Sequence, residues 1–366
     1  MQRVARDNAA MTSWTERTKS FCARFNLRAP ILLAPMAGAC PPSLSIAVAN
    51  AGGLGSCGAL LMAPDAIAAW ADEVRAGTNG AFQLNLWIPD PPPRRDAAHE
   101  ARVRDFLGKW GPPVAADAGD ATPPDFAAQC EALLAVGPPI VSSVMGIYPA
   151  EFIAKLKARG IAYFAVVTTV AEARAAAAAG ADVIVAQGME AGGHRGAFEA
   201  GDAERAQVGL FSLLPAVVDA VKVPVVATGG IADGRGVAAA LLLGASAAQI
   251  GTGFLRCPEA KLPPAWADGL AKTLPEGTML SRAFSGRAGR AIANDYARAA
   301  AAPDAPAPAP YPVQRSLTAA MRTAATKAGD VQRMQAWAGQ SAALARAEPA
   351  GALFARIWQD AQALLG

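Results

Sequence analysis

The stretch that decides the fold of this chain is Val183-Ile184-Val185-Ala186-Gln187-Gly188-Met189-Glu190-Ala191-Gly192-Gly193-His194-Arg195-Gly196. Its β-branched start is typical of a buried strand. The strand ends in a glycine-rich turn that carries His194, one of 2 histidines in the chain. Backbone without Cβ atoms beside an imidazole suits a planar ligand that lies close to the chain. The alternative is an ordinary strand-to-helix turn with an exposed histidine.

The same order of apolar run, glycine or proline turn and helix repeats along the chain. The predicted strands cover residues 31–34, 53–57, 81–87, 140–144, 162–167, 183–185, 223–227 and 247–251. The predicted helices between them cover residues 44–51, 64–76, 99–109, 125–136, 151–158, 170–179, 211–220 and 236–243. Eight strands with mostly short connections predict an α/β fold, a parallel (β/α)8 TIM barrel rather than an open sheet.

The pattern changes after Phe254. Residues 256–310 are proline-rich, residues 299–310 are typical of a disordered run, and helices are predicted at 317–326, 331–346 and 352–365. We therefore expect three regions, with a smaller, mostly helical cap over the barrel mouth. They are a barrel at 11–255, a cap or substrate-binding region at 256–330, and C-terminal helices at 331–366 that pack on the barrel.

Composition excludes several classes of protein. The chain is 53% hydrophobic and 17% charged, with a net charge of +3 and scattered basic residues, so a nucleic-acid surface is not expected. The 5 cysteines show neither C-x-x-C nor metal-like spacing, which predicts free thiols in a reducing cytoplasm and no metal site. Residues 1–20 lack the apolar core of a signal peptide. Residues 29–64 carry no charge, but proline and glycine interrupt them, so no membrane span is expected.

Two glycine-rich loops predict a phosphate site. Thr228-Gly229-Gly230-Ile231-Ala232-Asp233-Gly234 follows the seventh predicted strand, and Gln249-Ile250-Gly251-Thr252-Gly253 follows the eighth. Loops at these two places commonly hold phosphate in this fold, through free backbone N–H groups. The alternative is a pair of tight turns that need glycine for packing. Gly53-x-Gly55-x-x-Gly58 matches a dinucleotide fingerprint, but it lies mostly within a strand, so we interpret it as close packing.

Two further polar features are open to interpretation. Gln83 and Asn85 are two residues apart in the third strand and therefore lie on the same face of it. Their amides can either bind a ligand in the barrel or cap nearby loops. His99 lies on a charged helix, and we expect it to be solvated.

Several motifs together resemble the nitronate monooxygenase family, formerly called 2-nitropropane dioxygenases. They are Ala34-Pro35-Met36-Ala37-Gly38, residues 187–194, Thr228-Gly229-Gly230-Ile231-Ala232 and Gln249-Ile250-Gly251-Thr252. Phe284-Ser285-Gly286-Arg287 and Trp337-Ala338-Gly339-Gln340 are similar to stretches of the class I branch. The resemblance runs from about Leu27 to the C-terminus. FMN-dependent enoyl-acyl-carrier-protein reductases, and a related group that reduces quinones with NADH, share similar glycine-rich stretches.

The resemblance implies FMN at the barrel mouth. Met36 and Ala37 would back the ring, and Asn85 and Gln187 would contact the flavin or its ribityl chain. The remaining residues implied to bind the cofactor, mostly at its phosphate end, are Gly192, Gly193, Gly229, Gly230, Gln249, Ile250, Gly251 and Thr252. One departure is that no lysine lies beside Ser142-Ser143-Val144-Met145-Gly146, so dipoles or a more distant arginine would meet the phosphate charge.

The resemblance also implies an enzyme that oxidises alkyl nitronates, such as propionate 3-nitronate, with O2. The products would be a carbonyl compound and nitrite, formed by way of a flavin semiquinone. His194 would be the catalytic residue, either bonding the nitro oxygens or removing an α-proton from a neutral nitroalkane. The alternatives are an FMN-dependent NAD(P)H reductase of enoyl thioesters or quinones, and a flavin-binding protein without turnover.

Other candidates come from the cap and its neighbourhood. Tyr296, Tyr311 and Trp87 either line the pocket or pack as aromatics. Arg287 and Arg290 either attract an anionic nitronate or bond loop carbonyls. The sequence leaves open whether the protein is a monomer or a homodimer.

Overall fold

The computed structural model describes residues 13–366. Residues 1–12, which include residue 11, where we placed the start of the barrel region, lie outside the described residues. Within residues 13–366, no helix is long and apolar enough to cross a membrane.

Eight parallel strands form the barrel, and they follow the predicted order. Their bounds are β1 Ile31–Leu33, β2 Gly55–Gly58, β3 Phe82–Trp87, β4 Ile140–Val144, β5 Ala162–Val167, β6 Val183–Gln187, β8 Val225–Thr228 and β9 Ala247–Ile250. They pair in the order β1-β9-β8-β6-β5-β4-β3-β2. A parallel bridge between Leu32 and Leu54 joins the first strand to the segment before the second, which closes the barrel. The predicted TIM barrel is confirmed.

Helices cover the outside of the barrel. They are α2 Pro42–Asn50, α3 Pro64–Gly77, α5 Phe126–Val136, α6 Ala150–Ala158, α7 Val170–Ala178, α9 Leu210–Ala220, α10 Gly234–Leu242 and α15 Ala350–Leu365. The last of these packs between α10 and α2 and completes the ring. A Cβ on Gly234 would lie 2.5 Å from Cβ of Asp360, and one on Gly53 would lie 2.4 Å from the Phe354 ring. These glycines therefore permit close packing, as we inferred for the Gly53 motif.

The barrel interior is filled by side chains and sealed at its N-terminal end. The interior cluster includes Leu32, Phe164 and Val226, all buried. Helix α1, Trp14–Phe25, lies against it, and the Phe25 and Phe164 rings meet edge-on with centroids 5.1 Å apart. Because one end is closed, a ligand can enter only at the C-terminal ends of the strands.

The cap contains a small sheet that the sequence did not predict. It is antiparallel, with β10 Thr278–Ser281, β11 Gly289–Ile292 and the short β7 Gly193–His194. The remaining helices are α4 Ala97–Leu107, α8 Asp202–Arg205, α11 Pro264–Lys272, α12 Asp295–Ala299, α13 Val313–Leu317 and α14 Ala319–Ala328. Val103 and Leu107 of α4 belong to the same buried cluster as Phe284 and Tyr296. The cap thus draws on the segment after β3 as well as on residues 256–330.

Two predictions about the tail were wrong. Residues 331–346 do not form a helix; apart from the single turn Ala342–Leu344 they are irregular. Their backbone bonds elsewhere, since Gly339 N donates to Thr252 Oγ1 and Gln340 N donates to the carbonyl of Glu190. Residues 299–310 are a defined connection rather than a disordered run, and His99 Nε2 lies 2.8 Å from the carbonyl oxygen of Ala307 in it. His99 is therefore half-buried instead of fully solvated.

Candidate active site

A single cavity at the C-terminal ends of the strands brings the predicted residues together. His194 lines it with all but one of the residues implied to bind the cofactor, namely Met36, Ala37, Asn85, Gln187, Gly192, Gly193, Gly229, Gly230, Gln249, Gly251 and Thr252. Ile250 does not line it; its side chain is fully buried, and its carbonyl accepts from Ala34 N. The predicted binding role of Ile250 therefore finds no support in its position.

His194 is held between two indole rings. The Trp87 and Trp337 rings meet its imidazole edge-on, with centroids 4.5 Å and 4.7 Å away. The backbone of β7 pairs with β11, so that His194 lies opposite Gly289. The cap hairpin and the barrel turn thus fix the position of this imidazole together.

Ser285 bonds the Nε2 side of the His194 imidazole. Its hydroxyl donates to the carbonyl of Arg287 at 3.0 Å, and its oxygen lies 2.7 Å from Nε2 of His194. A serine hydroxyl has one proton; when Ser285 donates it to Arg287, the short contact is made by a proton on Nε2. Nδ1 is then unprotonated and can accept a proton.

The surroundings keep the imidazole neutral. Burial, and to a smaller extent the positive charges of Arg315 and Arg287, lower the pKa of His194 from 6.5 to about 3. Both effects disfavour the imidazolium form. His194 is therefore a neutral base across the ordinary working range of pH.

The amide of Gln187 supports the His194 turn instead of pointing freely at a ligand. Its Nε2 donates to the carbonyl of His194 at 3.2 Å, and its Oε1 accepts from Gly196 N at 2.8 Å. Gln187 still lines the cavity, but both ends of its amide are committed to the turn.

Two other amides are oriented toward the cavity by their neighbours. Gln83 Nε2 donates to Oε1 of Gln249 at 3.2 Å, which leaves the N–H groups of Gln249 for a ligand. Asn85 Nδ2 donates to Ser142 Oγ at 3.0 Å, which leaves its carbonyl oxygen as an acceptor. Gln83 itself is fully buried and positions Gln249. The cavity thus offers one amide donor and one amide acceptor.

The glycine loops form a cradle at one end of the cavity. Among the described residues, no protein acceptor takes the N–H groups of Gly192, Gly229 or Gly230. A Cβ on Gly192 would lie 2.4 Å from Gly339 N, and Gly229 has a φ of +109° that favours glycine. Free N–H groups on backbone without side chains fit a phosphate. The residues present therefore fit the phosphate end of FMN.

The cavity contains an arginine, Arg315, that we did not predict from the sequence. Arg315 lines the cavity, and among the described residues its guanidinium has no bonded acceptor and no carboxylate partner. Arg287 pairs with Asp90, and Arg290 donates to the carbonyl of Met189. Arg287 and Arg290 thus fix loops, the second of our two alternatives, and Arg315 is the arginine free to meet an anion.

Of the three aromatic candidates, one lines the cavity and two pack against other side chains. Trp87 lines the cavity, and Tyr311 packs on its outer side with ring centroids 5.2 Å apart. Tyr296 is buried in the cap, where its hydroxyl donates to the carbonyl of Ala283. Trp266 and Gln335 also line the cavity, and no local sequence pattern marked them. Within residues 13–366, no group of three or more metal-ligating side chains could hold a metal ion.

The family model described as nitronate monooxygenase matches residues 19–360. The chain belongs to the nitronate monooxygenase family. It is 40% identical over 337 residues to the nitronate monooxygenase of Paraburkholderia phytofirmans, with 90% of this chain and 92% of that protein covered. It is 38% identical over 354 residues to the nitronate monooxygenase of Pseudomonas aeruginosa, with 94% of this chain and 99% of that protein covered.

Solved structures agree with this family. The chain is similar to a nitroalkane oxidase from Streptomyces ansochromogenes, with a TM-score of 0.84 and 38% identity over 95% of this chain and 100% of that one. It is less similar to FabK from Thermotoga maritima, with a TM-score of 0.70 and 26% identity over 94% of this chain and 96% of that one. This member of the nitronate monooxygenase family is therefore an oxidoreductase; the comparisons support nitronate oxidation in general and a flavin cofactor.

Proposed function

We propose that this protein is an FMN-dependent monooxygenase of alkyl nitronates, among them propionate 3-nitronate. The reaction would consume O2 and give a carbonyl compound and nitrite. The observation that carries the proposal is that a neutral His194 and an unpartnered Arg315 line the same cavity as the phosphate cradle. Such a site suits a small anion next to a bound phosphate-bearing cofactor.

FMN would be held by the groups that face the cavity. Gly192, Gly229 and Gly230 would donate N–H groups to its phosphate, and Asn85 and Gln249 would offer an acceptor and donors to its polar edge. When bound, FMN supplies the electron transfer between nitronate and oxygen that no side chain of the chain can perform.

His194 would act on substrates that arrive as neutral nitroalkanes. Its unprotonated Nδ1 accepts the α-proton, and Ser285 holds the Nε2 proton on the other side of the ring. The imidazolium formed in this step would lie in an environment that disfavours its charge, and it would pass its proton to water before the next turnover. A preformed nitronate needs no such step.

Arg315 would attract and orient the anion. The Arg315 guanidinium is half-buried and unpaired. Its attraction to a bound oxyanion would offset the free energy that its desolvation costs. Trp87, Trp337 and Trp266 line the same cavity and would exclude water from the bound anion. These residues bind and orient the substrate while the cofactor performs the redox chemistry.

A second candidate function is an FMN-dependent reduction of enoyl thioesters or quinones by NAD(P)H. The glycine-rich stretches that resemble those of FMN-dependent enoyl-acyl-carrier-protein reductases favour it. The similarity to the nitroalkane oxidase of Streptomyces ansochromogenes, with a TM-score of 0.84 and 38% identity, favours the first.

Nitrite release tests the proposal. Purified protein reconstituted with FMN is mixed with propionate 3-nitronate in air, and nitrite and O2 uptake are followed together. We expect both to depend on FMN and on enzyme concentration. Neither signal above the non-enzymatic rate would reject the proposal, and the same protein without added FMN provides the matched control.

A further inference from the structure

Within residues 13–366, the cap places two half-buried arginines next to each other without a carboxylate partner. Arg315 and Arg322 both have their pKa lowered by burial, and the charge of Arg315 contributes to the shift of Arg322. Among the described residues, the Arg322 guanidinium donates to three neutral acceptors, which are Thr318 Oγ1, the carbonyl of Arg315 and Oε1 of Gln335. A bound anion would supply the negative charge that these two arginines lack.

Gln335 lies between Arg322 and the cavity. Its Oε1 accepts from Nη1 of Arg322 at 3.1 Å, while its Nε2 is buried and has no partner among the described residues. Because arginine can only donate, this bond fixes which end of the amide faces Arg322. The N–H groups of Gln335, a residue that lines the cavity, are therefore left for an acceptor that the protein does not supply.

We propose that Gln335 is a specificity-determining residue that donates a hydrogen bond to a carboxylate carried by the nitronate substrate, together with Arg315. The inference rests on the proposed function. A carboxylate satisfies both unpartnered donors at once, because it has two oxygens and a charge. A methyl group in its place satisfies neither.

Arg322 is the positioning residue for this pair. One guanidinium holds the backbone carbonyl of Arg315 and the side-chain oxygen of Gln335, at 2.9 Å and 3.1 Å. The planar fork of arginine can meet both acceptors, and a lysine ammonium is a compact point charge without that fork. Arg322→Lys would keep the charge and lose the joint alignment.

The test compares two nitronates with the FMN-loaded enzyme. Propionate 3-nitronate carries the carboxylate, and propyl-1-nitronate has a methyl group in its place. We expect Gln335→Leu to lower the ratio of their kcat/KM values, carboxylate over methyl, by about tenfold or more, the loss of one charge-assisted hydrogen bond. Gln335→Glu, which brings a like charge to the carboxylate, should lower the ratio further. Gln332→Leu makes the same change at an exposed glutamine nearby and should leave the ratio at its original value.

Arg322→Lys gives a separate signature. It should raise KM for propionate 3-nitronate by a larger factor than it lowers kcat, since alignment of the carboxylate is lost and the reacting end is not. Equal losses with both nitronates would show a merely structural role and would overturn the assignment of Arg322.

A binding measurement separates this inference from the proposed function. Calorimetry with succinate and with butyrate compares a second carboxylate with a methyl group without turnover. We expect succinate to bind more tightly to the original protein, and Gln335→Leu to remove most of the difference. If nitronates are not oxidised but this difference appears, the proposed reaction fails and the carboxylate subsite stands. If neither the succinate preference nor the kcat/KM ratio changes in Gln335→Leu, the role of Gln335 is refuted.

Discussion

The Nε2 atom of His194 lies 2.7 Å from the hydroxyl oxygen of Ser285. The two residues come from different parts of the chain, the turn after β6 and the segment between β10 and β11. Their contact holds Nε2 of the imidazole and ties the barrel to the cap.

His194→Asn should damage reaction with neutral nitroalkanes more than reaction with nitronates. Removing a general base costs about 10²-fold to 10⁴-fold, and a nitronate has already lost its α-proton. Steady-state kcat/KM values for 1-nitropropane and for its nitronate measure the two losses. Equal losses on both substrates would count against the base role.

Ser285→Ala should lower kcat/KM for nitroalkanes by about tenfold, since the imidazole loses the acceptor that holds its Nε2 proton. Ser281→Ala is the matched control, because Ser281 Oγ bonds the backbone of the same loop at Ala283 N and does not touch His194. If both variants behave alike, Ser285 contributes only to the loop.

The lowered pKa of His194 predicts how the rate depends on pH. A base with a pKa of about 3 stays unprotonated as the pH falls through 6.5, the ordinary value for histidine. We therefore expect kcat/KM for nitroalkanes to stay level from about pH 8 to about pH 5. An acid limb with an apparent pKa near 6.5 that is absent in His194→Asn would show that the imidazole titrates normally.

Arg315→Met should weaken binding of anionic nitronates. Loss of a charged hydrogen-bonding partner is expected to raise KM by about tenfold to a hundredfold, with a smaller effect on kcat. Lys327→Met removes one positive charge from an exposed position of α14 and serves as the control for net charge. The account of Arg315 fails if the two variants have the same KM.

Gly192→Ala should weaken binding of FMN by about tenfold or more. The added methyl group would lie 2.4 Å from Gly339 N and 2.9 Å from Thr252 Oγ1, so the cradle must open. Gly201→Ala is the control, since its nearest contact would be Arg205 Nη2 at an ordinary 3.8 Å. Titration of the apoprotein with FMN, followed by flavin fluorescence, gives both affinities; similar values for the two variants would contradict the cradle.

The barrel could be predicted because its strands are local signals. Ile140–Val144 and Ala162–Val167 are short apolar runs bounded by turns, and both predicted strands have the bounds that the structure shows. The turn at His194 and the two glycine loops were predictable for the same reason. They follow strands directly, and the closed barrel then brings strand ends together.

The cap could not be read in this way because its structure depends on distant partners. The strand Gly289–Ile292 pairs with Gly193–His194, about a hundred residues earlier in the chain. Residues 331–346 have a helical composition, but their backbone bonds instead to the barrel loops and to β11. Tertiary contacts override local propensity here.

Arg315 and Gln335 could not be predicted either, because their positions also depend on distant parts of the chain. An arginine in a short helix and a glutamine in an irregular segment carry no local mark of function. Only the fold shows that both line one cavity and that Arg322 bonds to each of them. The motif Trp337-Ala338-Gly339-Gln340 did point to the neighbourhood, although not to the role of Trp337 beside His194.

The most direct test of the account is anaerobic mixing of the FMN-loaded protein with propionate 3-nitronate, and separately with NADH and NADPH, while the flavin absorbance is recorded. We predict that the nitronate alone reduces the bound flavin, and that nitrite appears once air is admitted. Rapid bleaching by a nicotinamide, with no response to the nitronate, would contradict the account and place this chain with the reductases.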